Sequence, residues 1–254
     1  MAHGVDTLNA ALGIDVGGTG IKGALVDLDL GELHTDRIRI RTPQPATPEA
    51  VAATIAEIAT QTGWTGPRLG CALPSVVKDG IVRTAANIDA GWIDFDAQTL
   101  IASAVGTPVT LLNDADAAGM AEMRYGAGRG EQGVVLLLTF GTGIGSAVFA
   151  EGMLVPNTEL GHLQIDGVDA EVRASAKVQE EEGLTYPEWT ARVNRYLHAV
   201  EAILWPDLIV IGGGISKDHA EFLDLLEARA RIVPATLRNH AGIIGAALAC
   251  KEAT

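Results

Sequence analysis

Residues 12–26 read LGIDVGGTGIKGALV and residues 137–149 read LLTFGTGIGSAVF, and the fold turns on reading these as two copies of one element. From Gly18 and Gly141 onward the copies align without a gap, GTGIKGALV over GTGIGSAVF. Each is an apolar run, a turn of small residues and a second apolar run, the pattern of a β-hairpin. Glycine lets backbone N–H groups approach and wrap an anion where a Cβ would obstruct them. Two such hairpins about half a chain apart predict two related lobes holding one phosphorylated ligand between them. That is the layout of a phosphoryl-transfer enzyme.

A first strand is predicted over residues 11–16, with hairpin partners at 20–27 and 32–41. Pro43–Pro48 is a connector, and Thr47 or Pro48 opens an Ala-rich helix through Ile58. A strand over 68–72 ends before Pro74, and Val109–Leu112 is a short strand stopping at Asn113–Asp114, with a helix from Ala115. The second copy starts at Val134 and its hairpin closes near Ala150. A helix over 186–204 precedes Pro206, strand 208–211 enters Gly212–Gly213–Gly214, and AGIIGAALA (241–249) is a small-residue helix suited to close packing. Strands alternating with helices in two copies imply an α/β architecture of wound sheets. The expected division is a small N-terminal lobe, 1–112, with the C-terminal helix (about 238–254) packed back on it, and a large lobe, 113–237.

The 254 residues suffice for one large or two small cores, and 48% hydrophobic content with 4% aromatics makes them Ala, Val, Leu and Ile cores. No apolar run is long enough to span a membrane, and no basic segment precedes an apolar one as in a signal peptide. Cys71 and Cys250 offer neither a disulfide framework nor a zinc spacing, so the expected location is the cytoplasm. A net charge of −14 argues against nucleic-acid and anionic-membrane partners. It also means that a polyanionic donor would need a local basic track, for which Lys22, Lys78, Arg83, Lys177, Arg195 and Lys217 are scattered candidates. Glu180–Glu182 reads as a solvated helix face.

Asp15 ends the first strand, where a carboxylate reaches Mg²⁺ through water or simply caps a turn. Lys22 neutralises a phosphate or is an ordinary hairpin lysine. Asn113 and Asp114 sit at a strand's carboxyl end, where ligands collect in wound sheets. Asp114 there could accept the proton of an attacking hydroxyl and Asn113 could bond a neighbouring one; the alternative is a helix N-cap. Asp116 reads as a cap or first-turn residue. In NTELGH (157–162), Glu159 and His162 are three apart, so a turn would point both into one pocket suited to sugar hydroxyls, or His162 is structural. Gly212–Gly214 permits close backbone approach to a ligand or makes a tight turn, and it matches no dinucleotide fingerprint; a Walker A sequence is also absent.

Taken together, DVGGTGIKGALVD, LLNDADAAG, FGTGIGSA, ELGH and IGGGIS resemble the ROK family of sugar kinases over nearly the whole chain, 12–250. The resemblance implies the two-lobed actin-like ATPase (ribonuclease H-like) fold, with duplicated βββαβα lobes and a central cleft. NTELGHLQIDGVDAEVRASAKV and YLHAVEAILWPDLIVIGGGISK are similar to the branch of that family using inorganic polyphosphate as donor and glucose as acceptor. By that likeness Asp114 is the catalytic base, and Asn87, Asn113, Asp114, Glu159, His162 and Glu171 bind glucose. Donor phosphates fall to Asp15, Gly17, Gly18, Thr19 and Lys22 of the first hairpin and Thr139, Gly141, Thr142 and Gly143 of the second. Gly213, Gly214 and Lys217 lie on the nucleotide or chain-phosphate side.

The implied cofactor is Mg²⁺ at Asp15. Many ROK members carry a CxCGxxGC zinc motif after the GH pair; here that region reads GHLQIDGVDAEVRAS, so no zinc is expected. This departure favours the polyphosphate branch and raises the question of how the loop carrying His162 and Glu171 is held. The implied partners are glucose, with mannose as a second acceptor, polyphosphate and ATP, and a second copy of the chain in a homodimer. The competing readings are a non-catalytic sugar sensor or partner-binding module, an ATP-only hexokinase, and an actin-like ATPase without a sugar acceptor. About ten residues precede the first strand, too few for the winged helix of ROK repressors.

Overall fold

The computed structural model describes residues 9–85 and 88–252. The chain divides into two compact units, one running to Leu112 and resuming at Gly242, the other spanning Asn113–Ala241.

In the first unit β1 (Ala10–Val16) and β2 (Ile21–Asp27) form the hairpin, followed by β3 (Glu32–Leu33), β4 (Ile38–Ile40) and α1 (Pro48–Thr62). Then come β5 (Leu69–Leu73), the short β6 (Val77–Lys78), β7 (Ile81–Val82) and β8 (Phe95–Asp96), α2 (Ala97–Val105) and β9 (Val109–Asn113). The main sheet runs β3-β2-β1-β5-β9, with β4 also on β2. The single strand expected over 32–41 is therefore two strands. Its break has a local cause: the Thr35 hydroxyl accepts the Leu25 N–H at 3.1 Å, taking a ladder position from the backbone. The first helix extends four residues beyond the expected Ile58, until Gly63 caps it at φ 68°. Thr47 is its N-cap and Pro48 its first residue.

The second unit opens with α3 (Asp114–Tyr125), then β10 (Val134–Phe140), β11 (Ile144–Ala150), β12 (Met153–Val155), β13 (Gln164–Ile165) and β14 (Val168–Asp169). It continues through α4 (Glu171–Ala174), α5 (Ala176–Glu181), α6 (Tyr186–Leu204), β15 (Leu208–Gly212), α7 (His219–Phe222) and β16 (Arg231–Pro234). Its sheet runs β12-β11-β10-β15-β16, the same order as the first sheet. In both, a central strand pairs antiparallel with its hairpin partner and parallel with the strand arriving on its other side. The duplicated hairpin is thus the visible part of a duplicated sheet.

β10 is apolar but for Thr139 because both its faces are covered. Leu136, Leu138 and Phe140 pack with Trp189, Val193 and Leu197 of α6, while Val135 and Leu137 pack with Ala147, Phe149 and Val210. The last helix, α8 (Ala241–Glu252), returns to the first unit. Its small residues are a packing requirement: a Cβ at Gly13 would strike the carbonyl of Ile243, and one at Gly70 the carbonyl of Ala246. Gly119 of α3 meets Ala147 and Phe149 in the same way.

Several short elements escape a periodicity reading, namely α2, α4, α5, α7, β12, β16, the β6–β8 sheet and the β13–β14 hairpin. Three of their turns were nonetheless written in the chain. Asp79–Gly80, Glu151–Gly152 and Asp166–Gly167 each have two residues at positive φ, the two-residue hairpin turn that acidic-Gly pairs favour. Glu180 and Glu181 on α5 and the following Glu182 are exposed, as a solvated face should be. Among the described residues no helix is long and apolar enough to cross a membrane.

Candidate active site

In the first unit, Asp15 and Lys22 face each other across the β1–β2 ladder. Lys22 Nζ lies 3.0 Å from Asp15 Oδ2, and both side chains are largely buried. The turn between the strands closes on itself, Gly17 N–H donating to Gly20 O at 3.2 Å and Gly20 N–H to Gly17 O at 3.3 Å. This leaves Gly18 and Thr19 exposed at the tip. Arg39 of β4, not singled out in the sequence, donates to Thr19 O at 3.2 Å and packs over Gly20. The first turn therefore carries two cations.

In the second unit, the Asn113 side-chain oxygen accepts from Ala115 N–H at 2.8 Å and Asp116 N–H at 3.1 Å. Asn113 is thus the N-cap of α3, and the helix begins at Asp114, one residue before the expected Ala115. The cap holds Asp114 at the strand-to-helix junction, half-buried, where sequence spacing placed a reactive carboxylate. Asp116 does lie in the first turn, but it is also 2% exposed and accepts the Asn157 N–H at 2.7 Å.

Asn157–His162 is clamped from β11 as well. Ser146 Oγ donates to Thr158 O at 2.6 Å and accepts Leu160 N–H at 3.0 Å, and Gly161 sits against the Ile144 carbonyl, where a Cβ would collide. A 3₁₀ turn over Leu160–His162 brings His162 Nε2 within 3.8 Å of Glu159, while Nδ1 lies 2.9 Å from Asp169 and 4.0 Å from Glu171. Glu159, His162 and Glu171 thus converge, with Asp169 as a member that sequence reading missed. The hairpin turning at Asp166–Gly167 is what delivers Asp169 to His162 and Glu171 to the site. That hairpin and the His162–Asp169 contact hold the loop.

Glu171 joins this cluster to the second glycine turn. Its Oε2 accepts Ile144 N–H at 3.1 Å, and a Cβ on Gly143 would strike that carboxylate. Gly141 N–H donates to Gly143 O, and Gly141 O accepts Lys177 N–H, both at 3.0 Å, which sets Lys177 beside the turn. Thr139 pairs with Gly145 and with Gly212, and Gly213 at φ 84° packs on the Phe140 backbone without room for a Cβ. The turn around Thr142 and the Gly213–Gly214 loop therefore adjoin. Lys217 ends up exposed, 3.8 Å from Asp218. Of the other basic candidates, Arg83 pairs with Asp94 and Arg195 with Asp166. Asn87 lies outside the described residues.

The electrostatics follow from crowding of carboxylates. Asp169, through its hydrogen bond, holds the His162 imidazole above its ordinary value, aided by Glu171 and Glu159 against the opposing effect of burial. Burial raises Glu159, Glu171 adds to this, and His162 opposes it. Burial also pushes Asp116 up to about 6, with Glu159 adding and the Asn157 N–H opposing.

These shifts have a testable sign. A His raised on folding contributes stability that is full below its usual value of about 6.5 and lost as pH rises through the folded value. Asp169→Asn should lower the His162 pKa, read from its imidazole proton NMR shift. The melting-temperature deficit of the variant should be largest near pH 6 and shrink towards pH 9. An unshifted His162 titration would remove Asp169 as the cause.

The profile of the ROK family matches residues 11–181. The chain belongs to the ROK family. It is 56% identical to the polyphosphate glucokinase of Mycobacterium tuberculosis over 97% of this chain and 93% of that protein. The crystal structure of inorganic polyphosphate/ATP-glucomannokinase from Arthrobacter sp. strain KM superposes with a TM-score of 0.94 at 48% identity, covering 96% of this chain and 99% of that one. The Streptomyces griseus ROK family glucokinase in complex with glucose and AMPPNP, 22% identical, shares the fold with a TM-score of 0.84 over 96% of this chain and 100% of that one.

Proposed function

We propose that this chain transfers a phosphoryl group from inorganic polyphosphate, and from ATP, to the 6-hydroxyl of glucose. The observation that carries the reading is near-full-length identity of 56% to a polyphosphate glucokinase, reinforced by the 48% identity to a polyphosphate/ATP-glucomannokinase. That second relative makes mannose a candidate acceptor.

Asp114 takes the proton of the attacking hydroxyl as its oxygen bonds to the terminal phosphorus and the bond to the donor's bridging oxygen breaks. Asn87, Asn113, Glu159, His162 and Glu171 bind the sugar hydroxyls, each of which both donates and accepts. Gly17, Gly18 and Thr19 of the first turn and Gly141, Thr142 and Gly143 of the second contact the donor phosphates. The Gly17 and Gly141 N–H groups hold their own turns closed, while the remaining backbone N–H groups meet developing charge, with Lys22 and Thr139 beside them. Gly213, Gly214 and Lys217 accommodate the rest of the donor.

Among the described residues no group of three or more His, Cys, Asp or Glu could cage a metal ion. Mg²⁺ does not require one, because it binds through one or two carboxylates plus phosphates and water. Asp15, at a strand end with one oxygen accepting from Lys22, fits that demand. Bound there, the cation would neutralise donor charge. We further infer a cytoplasmic location, from two cysteines that offer no disulfide framework, and a homodimer, as the family resemblance implies.

The test is the initial rate of glucose phosphorylation with long-chain polyphosphate and ATP in parallel. A higher kcat/KM with polyphosphate supports the reading. Turnover with ATP alone would reduce the chain to an ordinary glucokinase, and glucose binding without turnover would make it a sensor.

A further inference from the structure

We propose that Asp116 is a positioning residue for the sugar, a carboxylate that ties the glucose-binding loop to the helix whose first residue is Asp114. The inference rests on the sugar-kinase reading above and extends it to a residue outside the sugar and donor sets.

Asp116 sits two residues beyond Asp114 in the first turn of α3, and its side chain is turned inward rather than to solvent. Its Oδ2 accepts the N–H of Asn157, 41 positions away, at 2.7 Å. Asn157 is held at φ 59°, a bend that few side chains tolerate and that aims its N–H at the helix. Two residues on comes Glu159. Oδ1 of Asp116 is buried with no protein group donating to it, which is costly for an ion. A merely structural cap would have no need of a charge here, because the Asn113 side chain already meets the first-turn N–H groups of Ala115 and Asp116.

The charge strengthens the tether, since an ionised acceptor makes a hydrogen bond about twice as strong as a neutral one. The ionisable groups around it are few. Glu159 approaches from the loop and Asp114 lies on the same helix, while β10 and β11, the strands packed under α3, carry no ionisable residue. Acidification through the value of about 6 protonates Asp116, weakens its hold on Asn157 and loosens the loop carrying Glu159. The helix keeps its own anchors in the Asn113 cap and the Gly119 contact. Loss of the tether therefore falls on sugar affinity rather than on the placement of Asp114.

The experiment measures glucose dissociation constants by calorimetry without donor from pH 5.5 to 8.5, with kcat in parallel. It compares wild type, Asp116→Ala and Asp116→Asn. At pH 8 the Ala variant should bind glucose about tenfold more weakly, with kcat at saturating glucose within about threefold. The Asn variant, whose amide oxygen still accepts the Asn157 N–H, should stay within about threefold in affinity. Besides the His162 and Glu159 titrations that all three proteins share, wild-type affinity should show a further fall with an apparent pKa near 6, and the Asn variant should lose that bend. A folded Ala variant with unchanged affinity overturns the proposal, as does a bend that persists in the Asn variant. Should the Ala variant not fold, the pH comparison of wild type with the Asn variant decides alone. Glucose binding without turnover in wild type would defeat the catalytic reading while leaving the tether to be judged on affinity. No glucose binding at all would defeat both.

Discussion

Asp114→Asn is expected to lower kcat by about a thousandfold while leaving glucose affinity and melting temperature close to wild type. The change is isosteric: the Asn113 cap that starts α3 is untouched, and the Ala115 N–H that Asp114 Oδ1 also accepts at 2.8 Å can be accepted by the Asn side-chain oxygen. Helix and strand end should therefore be retained. What the amide cannot do is take the hydroxyl proton as oxygen bonds to phosphorus. A group that acts only in the transition state affects kcat and kcat/KM equally, and this signature separates a base from a binding residue. The loss should be the same with polyphosphate and ATP, because the acceptor side is common to both. A variant keeping kcat within tenfold would remove Asp114 as the base.

The largest loss of stability is expected from the smallest substitution, Gly70→Ala. The added methyl would overlap the carbonyl of Ala246, a backbone group that cannot rotate aside as a side chain could. Either α8 moves away from the sheet or the strand bows. Overpacking of this kind costs about 1–3 kcal/mol and occasionally more. For a chain of this size that corresponds to a fall in melting temperature of roughly 2–12 °C. Urea unfolding should show a lower midpoint with an unchanged slope. A melting temperature within a degree of wild type would mean that α8 does not lie against β5 as described. Asp15 shares this dependence on α8, since Gly242 at the start of the helix leaves room for its carboxylate and a Cβ there would sit 3.0 Å from it.

The site was unevenly legible. Asp114 could be read because a strand end and a helix start are local events that adjacent residues announce. The pairing of Glu159 with His162 followed from a spacing of three. Asp169 was missed because its value lies in the turn before it: Asp166–Gly167 predicts a hairpin, and a two-residue loop fixes which residues face one another across it. Arg39 lies in IRIRT, where alternation gives a face but not a neighbour. Glu171 could be drawn from family resemblance for the sugar, but nothing in the chain order shows that it also backs Gly143 and receives the Ile144 N–H.

Residue order alone was enough for the duplicated hairpins, the α/β class, the family and the strand-end position of the Asp114 carboxylate. Each depends on glycine spacing, apolar period or neighbours within a few positions. It took the folded chain to show that Asp116 reaches Asn157, that Ser146 clamps the 157–162 loop, and that α8 lies on Gly13 and Gly70. Those contacts join residues 12 to more than 200 positions apart. A hydrogen bond or a close packing at that range has no periodicity to betray it, and it exists only once the sheets have brought the two segments together.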